Sequence, residues 1–469
     1  MKYKKYLIQT KENHDEQRYH FAQKVSIVRV VRGLIFLFLF FIVNDVFSQT
    51  LNLERARELA LANSRSLARY EMAIRSSILD EKSQLYSMLP QISAGYNASA
   101  EYFQDWEFVN PIENLSAGAS FSISQVIFQG GKSFIQKAIN EIGTESVKIE
   151  AREAYFTVLD TIDNAYYAVL EAKAALEDRE TSLKAAELGL SIAEIRYKSG
   201  MITQGDYLEA LAGKETSENS LNQARRDLTI RMSRFKTLTG IPDNAELEQI
   251  DFKEYENIIL HLAGISDEQA DTLYETFWEI ISSSNLSLAK AALDNKIAER
   301  RFTLSKRDYT PTIRATVFST GLSFLPSFKA ASSGGISISG NIPIDFWVLN
   351  NRNEQSRINY ERSLLAYEDA EISMEQNLQT ALFNLFSQAG TVLSSRRTLE
   401  YTERRFEFVM QRYRLSQASV SDLNDATSSF ITSRNRLNSA SYSFLQGLSA
   451  LRSMCALDDE GKLLELLLR

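Results

Sequence analysis

The sequence predicts an α+β chain of internally duplicated design, in which long coiled-coil helical hairpins are joined to short β-hairpins of membrane type. Three observations predict it. Apolar residues stand seven apart in Ile162, Val169, Leu176, Leu183, Leu190 and Tyr197, and again, 216 positions later, in Leu378, Leu385, Val392, Leu399, Phe406 and Tyr413. Heptad spacing keeps one seam of a helix facing a partner helix, and small residues such as Ala165, Ala172, Ala193 and Ser395, three positions beyond seam residues, allow close approach. Each copy also carries segments that alternate apolar and polar residues with the period of two of a β-strand. Finally, the N-terminal region has the pattern of an export signal.

Taken in order, the export signal comes first. Leu34 to Val43 is an unbroken apolar run behind Arg29 and Arg32, shorter than the roughly 20 residues of a spanning helix. With Val46 and the small Ser48 behind it, segment 1–48 reads as a signal peptide cleaved before Gln49; an uncleaved anchor is the alternative. Cys455 is the only cysteine, so the chain can form no intramolecular disulfide and has none behind the leader to carry a lipid.

The first repeat, 49–242, opens with a helix from Leu51 to Met88, ended by Pro90, because proline disfavours helical backbone in the residue before it. A β-hairpin follows over 91–128. Its first strand, Gln91 to Phe103, places Ile92, Ala94, Tyr96, Ala98 and Tyr102 on one side, and a polar and aromatic loop, Gln104 to Asn114, leads to the clearer strand, Leu115 to Ile127. There Leu115, Ala117, Ala119, Phe121 and Ile123 alternate with Ser116, Gly118, Ser120, Ser122 and Ser124, so one face suits lipid and the other water. A soluble hairpin packed on a core is the alternative. The long helix, about Gly131 to Ser199, spans on the order of 100 Å at 1.5 Å per residue. It reverses at a tip near 199–205 and returns on Leu221, Leu228 and Phe235, and Gly240 with Pro242 closes the repeat.

An acidic linker, 243–271, leads to the second repeat, 272–455, whose entry lies at an offset of 221: Ser66, Leu67, Ala68, Pro90 and Ile92 correspond to Ser287, Leu288, Ala289, Pro311 and Ile313. Its hairpin, 312–346, comprises Thr312 to Ser323 and Gly335 to Phe346; its long helix runs from about Asn350 to Leu415, turns at 416–421 and returns on Leu423, Phe430, Leu437, Phe444 and Leu451. A tail, 456–469, ends in a leucine-rich turn. Four strands cannot close a barrel, and lipid leaves sheet edges without hydrogen-bond partners. Oligomerisation must therefore finish it, and three copies supply about twelve strands.

Composition narrows the function. A net charge of −8 argues against nucleic acid as partner. Beyond the leader His261 is the only histidine, so no histidine metal cluster and no serine or cysteine nucleophile with a histidine base is readable. The chain reads as a non-enzyme without cofactors.

Over nearly all of Leu51 to Cys455 the chain resembles the TolC-type outer membrane efflux proteins. The resemblance rests on the duplicated order of elements, on Pro90, on Phe128-Gln129-Gly130-Gly131-Lys132 behind the second strand, and on the tip Arg196-Tyr197-Lys198-Ser199-Gly200-Met201-Ile202-Thr203-Gln204-Gly205-Asp206. The second copy has Leu349-Asn350-Asn351-Arg352 in place of the glycine pair, which leaves the geometry of its strand-to-helix junction open. The resemblance implies a homotrimer with a β-barrel in outer membrane lipid and a helical tube in the periplasm. It would be the exit duct of an efflux or secretion system, working with a periplasmic adaptor and an inner membrane pump, with the linker and tail forming a belt around the tube.

The resemblance also places the working residues at the tips. Gly200, Met201, Ile202, Thr203 and Asp206, with Ser416, Gln417, Ala418 and Ser419 of the second tip, would contact the adaptor. Glycine permits the tight reversal, while Met201 and Ile202 are either exposed for a partner or packed inside. Asp422 and Asp425, three apart, share a helix face and match positions where similar channels place acids at the periplasmic mouth. Crowded carboxylates there would raise one another's pKa and draw cations; the other reading of Asp422 is a helix cap. Tyr413 matches a tethering tyrosine, whereas Ala418 stands where some relatives have an arginine for that tether. For the whole chain the alternative is a pore-free periplasmic coiled-coil scaffold or adaptor, which would normally show one helical hairpin with flanking β-domains.

Overall fold

A computed structural model describes residues 50–100, 102–104, 107–108, 115–241, 246–320 and 333–468. The expected signal peptide 1–48, most of the 104–114 loop, the start of the 243–271 linker and the expected strand end at Ser323 lie outside the described residues. The chain divides into two units. In the small one the Leu51 N–H donates to the Glu246 carbonyl at 2.7 Å and the Glu248 N–H to the Leu51 carbonyl at 3.0 Å, a parallel bridge centred on Leu51 and Leu247.

The larger unit opens with α1 (Leu53–Asn63) and α2 (Arg65–Tyr86), not the single helix expected from Leu51 to Met88. Ser64 breaks it: its backbone is extended and its hydroxyl accepts the Leu67 N–H. A side chain that caps the following turn ends the helix before it. The same break recurs at Asn285, whose side chain accepts the Leu288 N–H at 3.0 Å.

Strands β1 (Gln91–Ala100), β4 (Leu115–Phe128), β5 (Thr312–Thr320) and β6 (Ser333–Asn341) form one antiparallel sheet in the order β1-β4-β5-β6. A short ladder of β2 (Phe103–Gln104) with β3 (Glu107–Phe108) occupies part of what was expected to be loop from Gln104. The register carries the alternation across strands. Ile92, Ile123, Val317 and Ile336 stand in one row on one face, while on the other Ser93 pairs with Ser122, their hydroxyls 2.7 Å apart.

The expected strand to Phe346 ends early, at Asn341, because Pro343 has no N–H for the ladder. Ile342 and Ile344 are left exposed in the connection, and α8 (Phe346–Arg414) begins four residues before the expected Asn350. At the first junction Gly130 has φ +63°, and a Cβ there would meet Thr310 Oγ1 at 2.1 Å, so the glycine is required. The second junction enters its helix through Asp345 at φ −79°, which needs no glycine.

The remaining long helices are α3 (Lys132–Lys198), α4 (Gln204–Thr239) and α9 (Val420–Met454). α3 packs on α4 and α9, and α9 on α8, with the seam residues Ile162, Val169, Leu378, Leu385 and Val392 buried between them. The linker expected at 243–271 contains α5 (Glu256–Ala263), whose Ile258, Ile259 and Leu262 are buried and which packs on α8. The next helix, α6 (Asp267–Ser284), starts ahead of residue 272 and is followed across Asn285 by α7 (Leu286–Ser305). The tail is a helix, α10 (Glu460–Leu467), not a turn, and it contacts α5. Next to the sheet the contacts run α2 to α3 to α7 to α8. No helix among the described residues is long and apolar enough to cross a membrane.

Candidate functional site at the helical tip

The two reversals are built alike. α3 ends with the Gly200 N–H on the Tyr197 carbonyl at 2.9 Å and the Met201 N–H on the Arg196 carbonyl at 2.8 Å, the paired bonds of a Schellman stop. α8 ends the same way, with the Ser416 N–H on Tyr413 at 3.1 Å and the Gln417 N–H on Arg412 at 2.8 Å. The residue that turns left-handed is glycine at the first tip, φ +70°, but serine at the second, φ +63°, where an L side chain costs about 1–2 kcal/mol.

Each returning helix then starts with a reciprocal capping box. Thr203 Oγ1 accepts the Asp206 N–H at 3.2 Å while Asp206 Oδ2 accepts the Thr203 N–H at 3.0 Å and hydroxyl at 2.9 Å. Ser419 and Asp422 repeat it at 3.0, 2.9 and 2.8 Å. The Ser419 N–H and hydroxyl hold the exposed Asp422 carboxyl below its usual range. Within one protomer Asp422 therefore works as the cap, and Asp425 lies exposed one turn on.

A small core joins the tips. Ala193 of α3, Ala210 of α4, Tyr413 of α8, and Val420 and Leu423 of α9 are buried together, with Ile202 and Ala418 packed against them. Of the apolar pair at the first turn, Met201 is 71% exposed and Ile202 turns inward, so only Met201 offers an open apolar surface. Tyr413 is fully buried: its hydroxyl donates to the Gly189 carbonyl at 2.9 Å, Arg196 Nη2 donates to its carbonyl, and the Arg196 guanidinium lies 4.6 Å from its ring centroid. Burial pushes the phenol pKa up, and Arg196 opposes the shift. Ser416, Gln417 and Ser419 are exposed on the turn.

Arg196 is the residue that sequence reasoning left without a role. Its counterpart 216 positions on, Arg412, is exposed and donates to the Gln417 carbonyl of its own turn at 2.7 Å, so the two copies use the same arginine differently. Among the described residues no group of histidine, cysteine or acids could hold a metal ion. Cys455 is buried, and burial pushes its thiol up to about 12.

A family model of outer membrane efflux proteins matches residues 56–241 and 279–456. The chain belongs to the outer membrane efflux protein family. This efflux protein is 21% identical over 408 residues to the outer membrane protein TolC of Escherichia coli (strain K12), covering 81% of its own length and 77% of that relative. Its fold matches the Campylobacter jejuni CmeC outer membrane channel with a TM-score of 0.70 at 14% identity, over 87% of this chain and 88% of that one. The outer membrane protein VceC of Vibrio cholerae gives 0.67 at 13%, over 86% and 96%. This efflux protein is thus an outer membrane transport component whose helical part stands in the periplasm.

Proposed function

We propose that three copies of this efflux protein form an exit duct: a barrel of about twelve strands in the outer membrane, continuous with a helical tube. The observation that carries the reading is that the protomer is open at both edges in both layers. α2 leads into the edge strand β1, and α8 leaves the other edge strand, β6. Each of these outermost helices exposes apolar residues seven apart, Met72, Leu79 and Tyr86 on α2 and Ile358, Leu365 and Ile372 on α8. Apolar seams of that kind call for a partner. In a head-to-tail ring, α2 of one copy lies against α8 of the next and β1 pairs with β6, which removes sheet edges from lipid.

Exposed aromatic residues crowd the passage from sheet to helices, among them Tyr86, Phe128, Phe134, Phe346 and Trp347, as they do at a membrane–water boundary. The matching capping breaks, turns and hairpins of the two halves support an origin by internal duplication. The duct is passive. An inner membrane pump and a periplasmic adaptor supply energy and cargo, the adaptor docking at the turns around Gly200, Met201, Ile202, Thr203 and Asp206 and around Ser416 to Ser419. Three copies bring Asp422 and Asp425 to the mouth, where their charge favours cations. A pore-free scaffold has no use for an exposed sheet with one largely apolar face.

The ring is tested by a short cysteine cross-linker applied to membranes carrying Met72→Cys with Ile358→Cys, positions at similar heights above the sheet. The buried, high-pKa Cys455 does not compete. A denaturing gel ladder that ends at three chains is expected. Absence of intermolecular products, or a ladder running past three, contradicts the ring.

A further inference from the structure

We propose that buried Asp178 is a proton-operated clasp between α3 and α9: its neutral carboxyl lets the two helices pack tightly, and ionisation, whose cost Arg434 offsets only in part, loosens them. Asp178 is fully buried on α3, and neither of its carboxylate oxygens accepts a hydrogen bond. Arg434 brings Nε to 2.8 Å from Oδ1, with its N–H aimed off the line to that oxygen. The same guanidinium lies 5.7 Å from the Phe430 ring centroid, and Phe430 stacks on Phe406 of α8 at 5.2 Å. Asp178 thus sits where the α3–α4 hairpin meets both helices of the other hairpin.

The charged groups that act most strongly on Asp178 are Arg434 of α9 and Arg179 and Glu177 of its own helix. Burial outweighs both arginines and pushes the carboxyl up to about 6. Were the hairpins to separate, water would return it to about 3.9. The packed arrangement therefore holds the proton more tightly than the separated one. Packing strengthens as pH falls through about 6 and weakens as pH rises past it. Both partners belong to one protomer, so the clasp does not depend on ring closure or on conduction.

Amide hydrogen exchange over residues 428–440, in the purified full-length protein in detergent and corrected for intrinsic rates, reads the packing. Protection at pH 5.0 is expected to exceed that at pH 7.5 by about tenfold, the ratio set by those two carboxyl values. Asp178→Asn, neutral and nearly isosteric, should match the acid level of the parent at both pH values. Arg434→Gln removes the opposing cation, so the rise should persist with its midpoint at higher pH. Equal protection of the parent at both pH values, or an undiminished rise in Asp178→Asn, overturns the clasp.

Discussion

Asp163→Ala is expected to destabilise the protein by roughly 3–5 kcal/mol, the range for removing one partner of a buried ion pair. Asp163 is fully buried on α3 and gathers contacts from two other helices, α1 and α9. Arg57 of α1 approaches bidentately, Nε to Oδ1 and Nη2 to Oδ2, both at 2.7 Å; Ser449 of α9 donates to Oδ2 at 2.6 Å and Arg452 at 3.1 Å. Glu460 of α10 binds Arg57 at 3.1 Å and accepts the Tyr255 hydroxyl at 3.1 Å. Removing the carboxylate leaves two arginines, Arg57 and the 2% exposed Arg452, with Glu460 as the one acid that both still reach. The fall is read from the guanidinium midpoint of the helical signal in detergent. Arg57→Ala combined with Asp163→Ala should cost less than the sum of the two single changes, because the pair is coupled. A loss under about 1 kcal/mol for Asp163→Ala would mean that Ser449 and Arg452 find other partners and that the cluster does not fasten α1 and α10 to the long helices.

Tyr413→Ala should release the tip, at a local cost of roughly 3–5 kcal/mol, as for other large buried aromatic side chains cut to alanine. The loss combines the emptied core between Ala193, Ala210, Val420 and Leu423, the hydrogen bond to Gly189 and the stacked Arg196. Tyr413→Phe keeps the ring and Arg196 and gives up only the hydroxyl bond, a loss of about 0.5–1.5 kcal/mol. Hydrogen exchange over 406–425 separates the two: protection collapses in the alanine variant and falls slightly in the phenylalanine variant. Equal, small losses would show that the turn holds itself through its Schellman bonds and capping box without Tyr413.

The long helices were legible because their heptads are local, each seam residue announcing the next. Pro90 and the glycine pair at 130–131 were legible for the same reason. The breaks at Ser64 and Asn285 carried a local signal too, a capping residue within an apolar-periodic run, but a continuous helical pattern on either side masked it. Pro343 likewise marked the end of β6 ahead of its two exposed isoleucines. In the linker, Ile258, Ile259 and Leu262 have the spacing of an amphipathic turn, hidden by the acidic residues around them. The capping role of Asp422 was one of two readings, and its geometry with Ser419 is local.

What the sequence could not display is pairing across the chain. Asp163 and Arg452 are 289 residues apart, and Arg196 and Tyr413 217 apart. Neither spacing distinguishes a buried ion pair from charges on a wet helix face. The exposed stripes on α2 and α8 were hidden differently, since only burial separates a seam filled within the protomer from one left for another copy.

Single-channel conductance of the purified protein in planar bilayers decides whether this is a duct. Three preparations are compared: the parent, Asp422→Asn with Asp425→Asn, and Tyr413→Ala. Asparagine keeps an acceptor for Ser419, so the cap survives while the charge is lost. A cation-selective pore is expected, with selectivity falling in the double variant and conductance rising in Tyr413→Ala, whose mouth is no longer held. Membrane-inserted, folded Tyr413→Ala that passes no ions would contradict the duct, because a closed tip could not then explain the silence.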